Sequence, residues 1–331
     1  MYGNAPSGSS GWGPVTTSRR STASWCSSPP PWNADRSYPQ FRRMLRTPPR
    51  PRHATCMDDL IAHFRRLRLL LEAFLSPEIT AVLLPLAKPA LRLGAGDGVP
   101  VHLGGAPLLP PGETWPEWNG RPLDFLGAID FADLAGFGKI PGIPATGTTA
   151  FYYATEIPRP WGNEPAHRDG WRVFTGTLRE ATPPPKTTTP PKITLNATPF
   201  LSLPSPQEPA VQRLENIYSG VLPVYVQLHA AWTRHTWPDD TPAHQLGGWP
   251  ALVQRPLGPD CLYASTGRTL TSLQSPALTP DEQRTVEEWQ LLLQLDSDPR
   301  LGWYWGDPGR VYFCNRQNTP LEETWLSLQA A

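Results

Sequence analysis

Two short segments, Leu103-Gly104-Gly105-Ala106-Pro107 and Leu246-Gly247-Gly248-Trp249-Pro250, agree at four of five positions. Paired glycines admit positive φ or the close approach of another backbone, and the residue before a proline is driven to an extended conformation. Each segment therefore specifies a tight bend that feeds an extended stretch. The strands downstream of the two bends agree too. Phe125-Leu-Gly-Ala-Ile-Asp130 corresponds to Leu291-Leu-Leu-Gln-Leu-Asp296, an apolar strand ending in Asp. Ala150-Phe-Tyr-Tyr-Ala154 corresponds to Arg310-Val-Tyr-Phe-Cys314, a strand of aromatic and β-branched residues. Three marks in the same order predict an internal duplication.

Proline limits what each copy can contain. With 43 prolines in 331 residues, backbone donors are missing and φ is fixed too often for long helices or wide regular strands. The expected fold is α+β: two diverged copies of a β-rich unit, over 85–200 and 201–331, packed into one domain behind an amphipathic N-terminal helix pair over 55–84. Leu60, Phe64, Leu67, Leu71 and Phe74 recur at helical spacing after a Thr55/Asp58 cap, and Ser76-Pro77 opens the second helix. Lys88–Leu93 reads as an edge strand because Pro89 cannot donate to a ladder. Residues 181–192 read as an exposed polyproline-like loop. A short helix over 207–218 closes near Gly220, and another begins at Thr279-Pro280 with Asp281 and Glu282 in its first turn.

Residues 1–54 are rich in Ser, Pro, Gly and Arg without apolar periodicity, which predicts disorder. The first 56 residues hold eight Arg against one acid, Asp35, a net +7 that leaves −7 for the rest of a neutral chain. The change of character at Thr55 makes Met57 an alternative start. The mildly acidic remainder has no phosphate-tracking basic stripe, which argues against nucleic acid as a partner. No apolar run is long enough to span a membrane, and the Arg19-Arg20 pair lacks the apolar stretch of an export signal. Cys26, Cys56, Cys261 and Cys314 lack the spacing of a zinc site or a disulfide framework, so reduced thiols in a cytoplasmic protein are expected. The glycine-rich loop 94–98 runs into Val99-Pro100 rather than a helix, and no Walker, dinucleotide or nucleophile-elbow motif occurs.

Some longer stretches resemble a known group. His244-Gln-Leu-Gly-Gly-Trp-Pro250, Trp289-Gln-Leu-Leu-Leu-Gln-Leu-Asp-Ser-Asp298 and Trp305-Gly-Asp-Pro-Gly-Arg-Val-Tyr-Phe313 are similar to the YwqG-like family of uncharacterised bacterial proteins. The resemblance covers about 60–331. It implies an α+β cytoplasmic domain without an established enzymatic activity and, since some relatives look like immunity proteins beside toxin genes, a protein such as a toxin as partner. The Arg/Pro-rich head and the 181–192 insertion depart from the pattern.

No residue stands out as catalytic and no cofactor is expected. His244 precedes the second bend, where it can bond a turn carbonyl. Gly104, Gly105, Gly247 and Gly248 are first of all bends where backbones approach, and secondly ligand-facing loops. Trp115, Trp118, Trp161, Trp232, Trp237, Trp249, Trp303 and Trp305 fall in Pro/Gly-rich stretches, either as core anchors or as a recognition surface. Asp296, Asp298 and Asp307 would offer hard oxygen ligands to Ca²⁺ or Mg²⁺ if they converged, although an Asp–Arg310 ion pair is the simpler expectation. The sequence thus favours a non-enzymatic protein-binding module, immunity- or antitoxin-like, using Trp249, Trp303, Trp305 and Arg310. Its alternatives are a small-ligand or divalent-metal-binding protein using the cleft between the copies, or an enzyme of unknown class. Nothing in it specifies an oligomeric state.

Overall fold

Glycine and proline punctuation cuts the chain into short strands. In the computed structural model, which describes residues 56–238, 241–271 and 278–331, ten of these strands join in one antiparallel sheet. They are β1 (Lys88–Gly94), β2 (Val99–Leu103), β3 (Asp124–Asp130), β4 (Thr148–Tyr153), β5 (Trp171–Gly176), β6 (Ile193–Ser202), β7 (His244–Leu246), β8 (Trp289–Asp296), β9 (Gly309–Arg316) and β10 (Trp325–Ala330). Their spatial order is β10-β9-β8-β7-β1-β6-β2-β3-β4-β5. The fold is therefore α+β.

The order reads alike in both directions from the central β1–β6 pair. In one half β2 runs into Gly104-Gly105 and pairs with β3; in the other β7 runs into Gly247-Gly248 and pairs with β8. Both partner strands carry a bulge, between Phe125 and Gly127 against β4 and between Leu291 and Leu293 against β9. The carbonyl of the residue skipped in the register is used in the same way each time. Leu126 accepts from the Gly104 amide at 2.8 Å, and Leu292 from the Gly247 amide at 3.2 Å. All four glycines have positive φ, at 67°, 88°, 63° and 71° in chain order. A β-carbon on Gly104 would run into the Pro191 carbonyl, and one on Gly248 would lie 2.6 Å from Ala90 Cβ. The first bend is thus a close approach of two backbones and the second a close approach of backbone to the side chains of Ala90 and Ser202, and with positive φ both favour glycine.

The sheet curls until its ends nearly meet. Trp171 on β5 donates its indole N–H to Thr324 O at 2.9 Å, Trp325 on β10 donates to Gly162 O at 2.8 Å, and the Leu328 amide donates to Trp161 O at 2.9 Å. The rings of Phe151 and Phe313, from opposite halves, meet at 5.1 Å within the main core, beside Leu91, Leu103, Leu126 and Leu293. A second core lies under helices α1 (Cys56–Glu72), α2 (Pro77–Leu83), α3 (Pro209–Ile217) and α4 (Val221–Thr236), built on Leu67, Leu71, Leu201, Tyr225 and Trp232. Two further helices, α5 (Leu257–Ser265) and α6 (Pro280–Val286), stand beside the second half of the sheet. Among the described residues no helix is long and apolar enough to cross a membrane.

Several expectations change here. The strand over Lys88–Leu93 is not at an edge but at the centre of the sheet. β7 covers only Leu91–Leu93, so Pro89 lies where β1 has β6 as neighbour on one side alone. Trp232 belongs to α4, not to a loop. The 181–192 segment is half-buried in places: the Pro190 carbonyl accepts from the Gly105 amide at 3.0 Å, seating this stretch on the first bend. The 1–54 head, the Thr55 cap and Cys26 lie outside the described residues.

Candidate functional site

The second bend delivers Trp249, and its neighbours fix that residue from both ends. Its amide donates to Ser202 Oγ at 2.8 Å, and the same hydroxyl donates to Lys88 O at 2.9 Å. Its indole N–H donates to Leu86 O at 2.6 Å. Beneath it, the buried Gln245 amide donates to Gly247 O and Trp249 O, at 2.8 Å each. The Lys88 ammonium stands 3.8 Å from the centroid of the Trp249 ring, a cation–π contact. In the first half the equivalent of Trp249 is Ala106.

Trp249 and Lys88 form one wall of a cavity of about 830 Å³, a size typical of small-molecule sites. The start of α3 (Glu208, Pro209), the start of α5 (Leu257, Gly258) and Val286, Trp289 and Leu291 complete its sides, with Cys314 of β9 at the sheet wall. Glu208 is only 8% exposed. It occupies the N-cap position of α3, yet its carboxylate does not cap the helix. Burial pushes its pKa up to about 7, against the attraction of Lys88. Burial also lowers the pKa of Lys88, against the attraction of Glu208 and Glu287. Among the described residues neither charged group has a hydrogen-bonded or ion-paired partner; Lys88 has only the face of Trp249. Arg213 and Glu287, also at the cavity, pair with each other at 3.1 Å. The indole N–H of Trp289 is buried without an acceptor.

The acidic cluster lies elsewhere, and its carboxylates are already engaged. Asp296 accepts from the Ala243 amide at 2.8 Å and from Arg310 Nε at 3.3 Å through Oδ2, and from the Ser297 amide at 2.9 Å through Oδ1. The Asp296 amide donates to His244 Nδ1 at 3.1 Å, so the ring proton sits on Nε2 and is donated to Asp298, also at 3.1 Å. Arg300 closes on Asp298 at 2.7 Å. Burial alone would raise the Asp298 carboxyl, but the bonds from His244 and Arg300 outweigh it and hold the group well below the usual carboxylate range. Asp307 bonds to neither carboxylate, and among the described residues no three His, Cys, Asp or Glu side chains are placed to hold a metal ion. The constellation is a structural clasp that ties β7 to the end of β8.

The tryptophans divide differently from a recognition surface. Trp303 and Trp305 are each 5% exposed and belong to the main core, the Trp305 indole donating to Asp296 O at 3.1 Å. Their alternation with Tyr304, which is 68% exposed, is the two-residue alternation of an extended turn. Of the expected site residues, the fold brings Gly248 and Trp249 to the cavity; Trp303, Trp305, Arg310 and Asp296 gather around the clasp; Gly104 and Gly105 lie in the other half. Sequence reasoning missed Lys88 and Glu208. Their one local signal is a charged residue directly before a proline at an element start, Lys88-Pro89 and Glu208-Pro209, and nothing in their spacing links them.

Residues 101–319 match the model of a domain of unknown function, DUF1963. The chain belongs to this family. No match is found among curated proteins. The DUF1963 match takes in Glu208, Trp249, the clasp and strands β3 to β9, whereas Lys88 and β1 precede it, so half of the charged pair in the cavity comes from outside the matched segment.

Proposed function

We propose that the cavity beside Trp249 is a binding site for a small organic molecule, and that the protein works by binding rather than by a chemical step. The observation that carries this reading is the pair of oppositely charged, largely buried groups, Lys88 and Glu208, open to one cavity and bonded to no protein partner. Burying such groups costs free energy that the Trp249 face and their mutual attraction offset only in part, and a ligand relieves the remainder. A fragment screen by ligand-observed NMR tests it, with Ala210→Phe, at the cavity wall, as the blocked variant. Hits that bind the wild type and are lost in a folded Ala210→Phe protein are expected. No hits, or hits that bind both equally, would contradict the assignment.

A second reading keeps a protein partner, as an immunity-like role would require. It is favoured by exposed Ile157, Trp161 and Tyr304, brought together where Arg159 donates to Tyr304 O at 2.9 Å. The YwqG-like label within DUF1963 and a cytoplasmic location rest on the sequence motifs alone. For the duplication, the support is the shared bulge, the shared glycine-to-bulge bond and the mirrored strand order. On that reading the second copy begins at Ile193 rather than 201, and the first strand of each copy, β1 or β6, pairs with the second strand of the other, β7 or β2.

A further inference from the structure

Resting on the cavity reading above, we infer the class of its ligand: a zwitterion with an apolar body, its carboxylate held at Lys88 and its ammonium at Glu208. Apolar amino acids and short apolar peptides with free termini are the simplest members of the class.

A ligand of one charge would satisfy one of these groups and be repelled by the other, since both face the same low-dielectric space. A neutral apolar ligand would exclude further water from both, drive Glu208 to its neutral form and leave the Lys88 ammonium with the Trp249 face alone. A ligand carrying both charges compensates both at once. The two groups attract each other across the cavity but form no direct ion pair, and Lys88 lies on the Trp249 ring instead. Arg213 and Glu287 pair with each other at the exposed rim of the cavity, from which Glu287 adds to the attraction on Lys88.

The rest of the wall defines the body. Leu257, Val286, Trp289 and Leu291 offer apolar contact. The volume of about 830 Å³ exceeds what one amino acid fills, which favours a peptide of two or three residues.

Calorimetry on the full chain with leucyl-phenylalanine, its C-terminal amide and its N-acetyl derivative is the test. The free dipeptide is expected to bind at least about tenfold more tightly than either blocked form, the difference a charge-assisted hydrogen bond supplies. Lys88→Met should remove the preference for the free carboxylate, and Glu208→Gln the preference for the free ammonium, each without affecting the other. Should a variant not fold, the comparison of the three ligands on the wild type still decides. Equal binding of all three, or none binding while apolar fragments occupy the cavity, overturns the zwitterion and leaves the cavity site standing. Failure of dipeptides and fragments alike overturns both.

Discussion

Glu208 and Asp298 are both buried acids, and their surroundings send them in opposite directions. Asp298 has His244 and Arg300 as donors and stays ionised; Glu208 has none, so burial wins. The consequence for stability comes by linkage. A carboxyl whose folded pKa lies near 7, against an ordinary value of 4.5, binds a proton more readily in the folded state. Its contribution is fully present below about pH 4.5 and is lost as pH rises to about 7, by a total on the order of 3 kcal/mol. Glu208→Gln keeps the neutral form at every pH. Denaturant unfolding at several pH values should show that the variant lacks this loss between pH 4.5 and 7, and an unchanged slope would contradict the assigned burial. None of this was legible in the sequence. Each charge sits before a proline at the start of an ordinary element, and only tertiary pairing brings β1, α3 and the second bend together.

At the scale of elements, the bends and the strands after them were readable because their physics is local. Paired glycines require positive φ, strands alternate, and the Thr279/Glu282 capping box declares the start of α6. Gly248→Ala should cost about 2–4 kcal/mol, combining a left-handed φ with overpacking against Ala90 and Ser202. Gly176 also has positive φ but nothing near its missing β-carbon, so Gly176→Ala should cost only about 1 kcal/mol. Thermal melts of the two variants make the comparison, and equal losses would mean that close packing at the second bend is not what requires glycine. Other elements escaped notice for equally physical reasons. α4 carries Pro223 in its first turn and β-branched Val221, Val224 and Val226, which obscure its helical pattern. β1 looks like an edge strand only while its pairing with Phe200 and Leu201, more than a hundred residues on, is unseen. Trp303 and Trp305 look exposed in a Gly/Pro-rich stretch until the core claims them.

For the whole molecule, the proposed duplication, with first strands exchanged between mirrored halves, has a cooperative consequence. β1 is held between strands of the second half and β6 between strands of the first, so each half removed leaves the other with four paired strands and a first strand that has lost both ladder partners. Segments 56–192 and 193–331, expressed apart, should lack a thermal transition, while the intact chain unfolds in one; two separate transitions would contradict the exchange. What distinguishes the halves is more informative than what they share. The second bend carries Trp249 where the first carries Ala106, and only the second opens onto the large cavity. The claim that this asymmetry marks the functional site has a direct measurement in ¹⁹F NMR of the 5-fluorotryptophan-labelled protein, titrated with leucyl-phenylalanine and with the fragment hits. The Trp249 and Trp289 resonances, assigned by Trp249→Phe and Trp289→Phe, should move while those of Trp171, Trp232 and Trp303 stay fixed. Shifts confined to Trp161, or to Trp303 and Trp305, would place binding elsewhere and contradict the account.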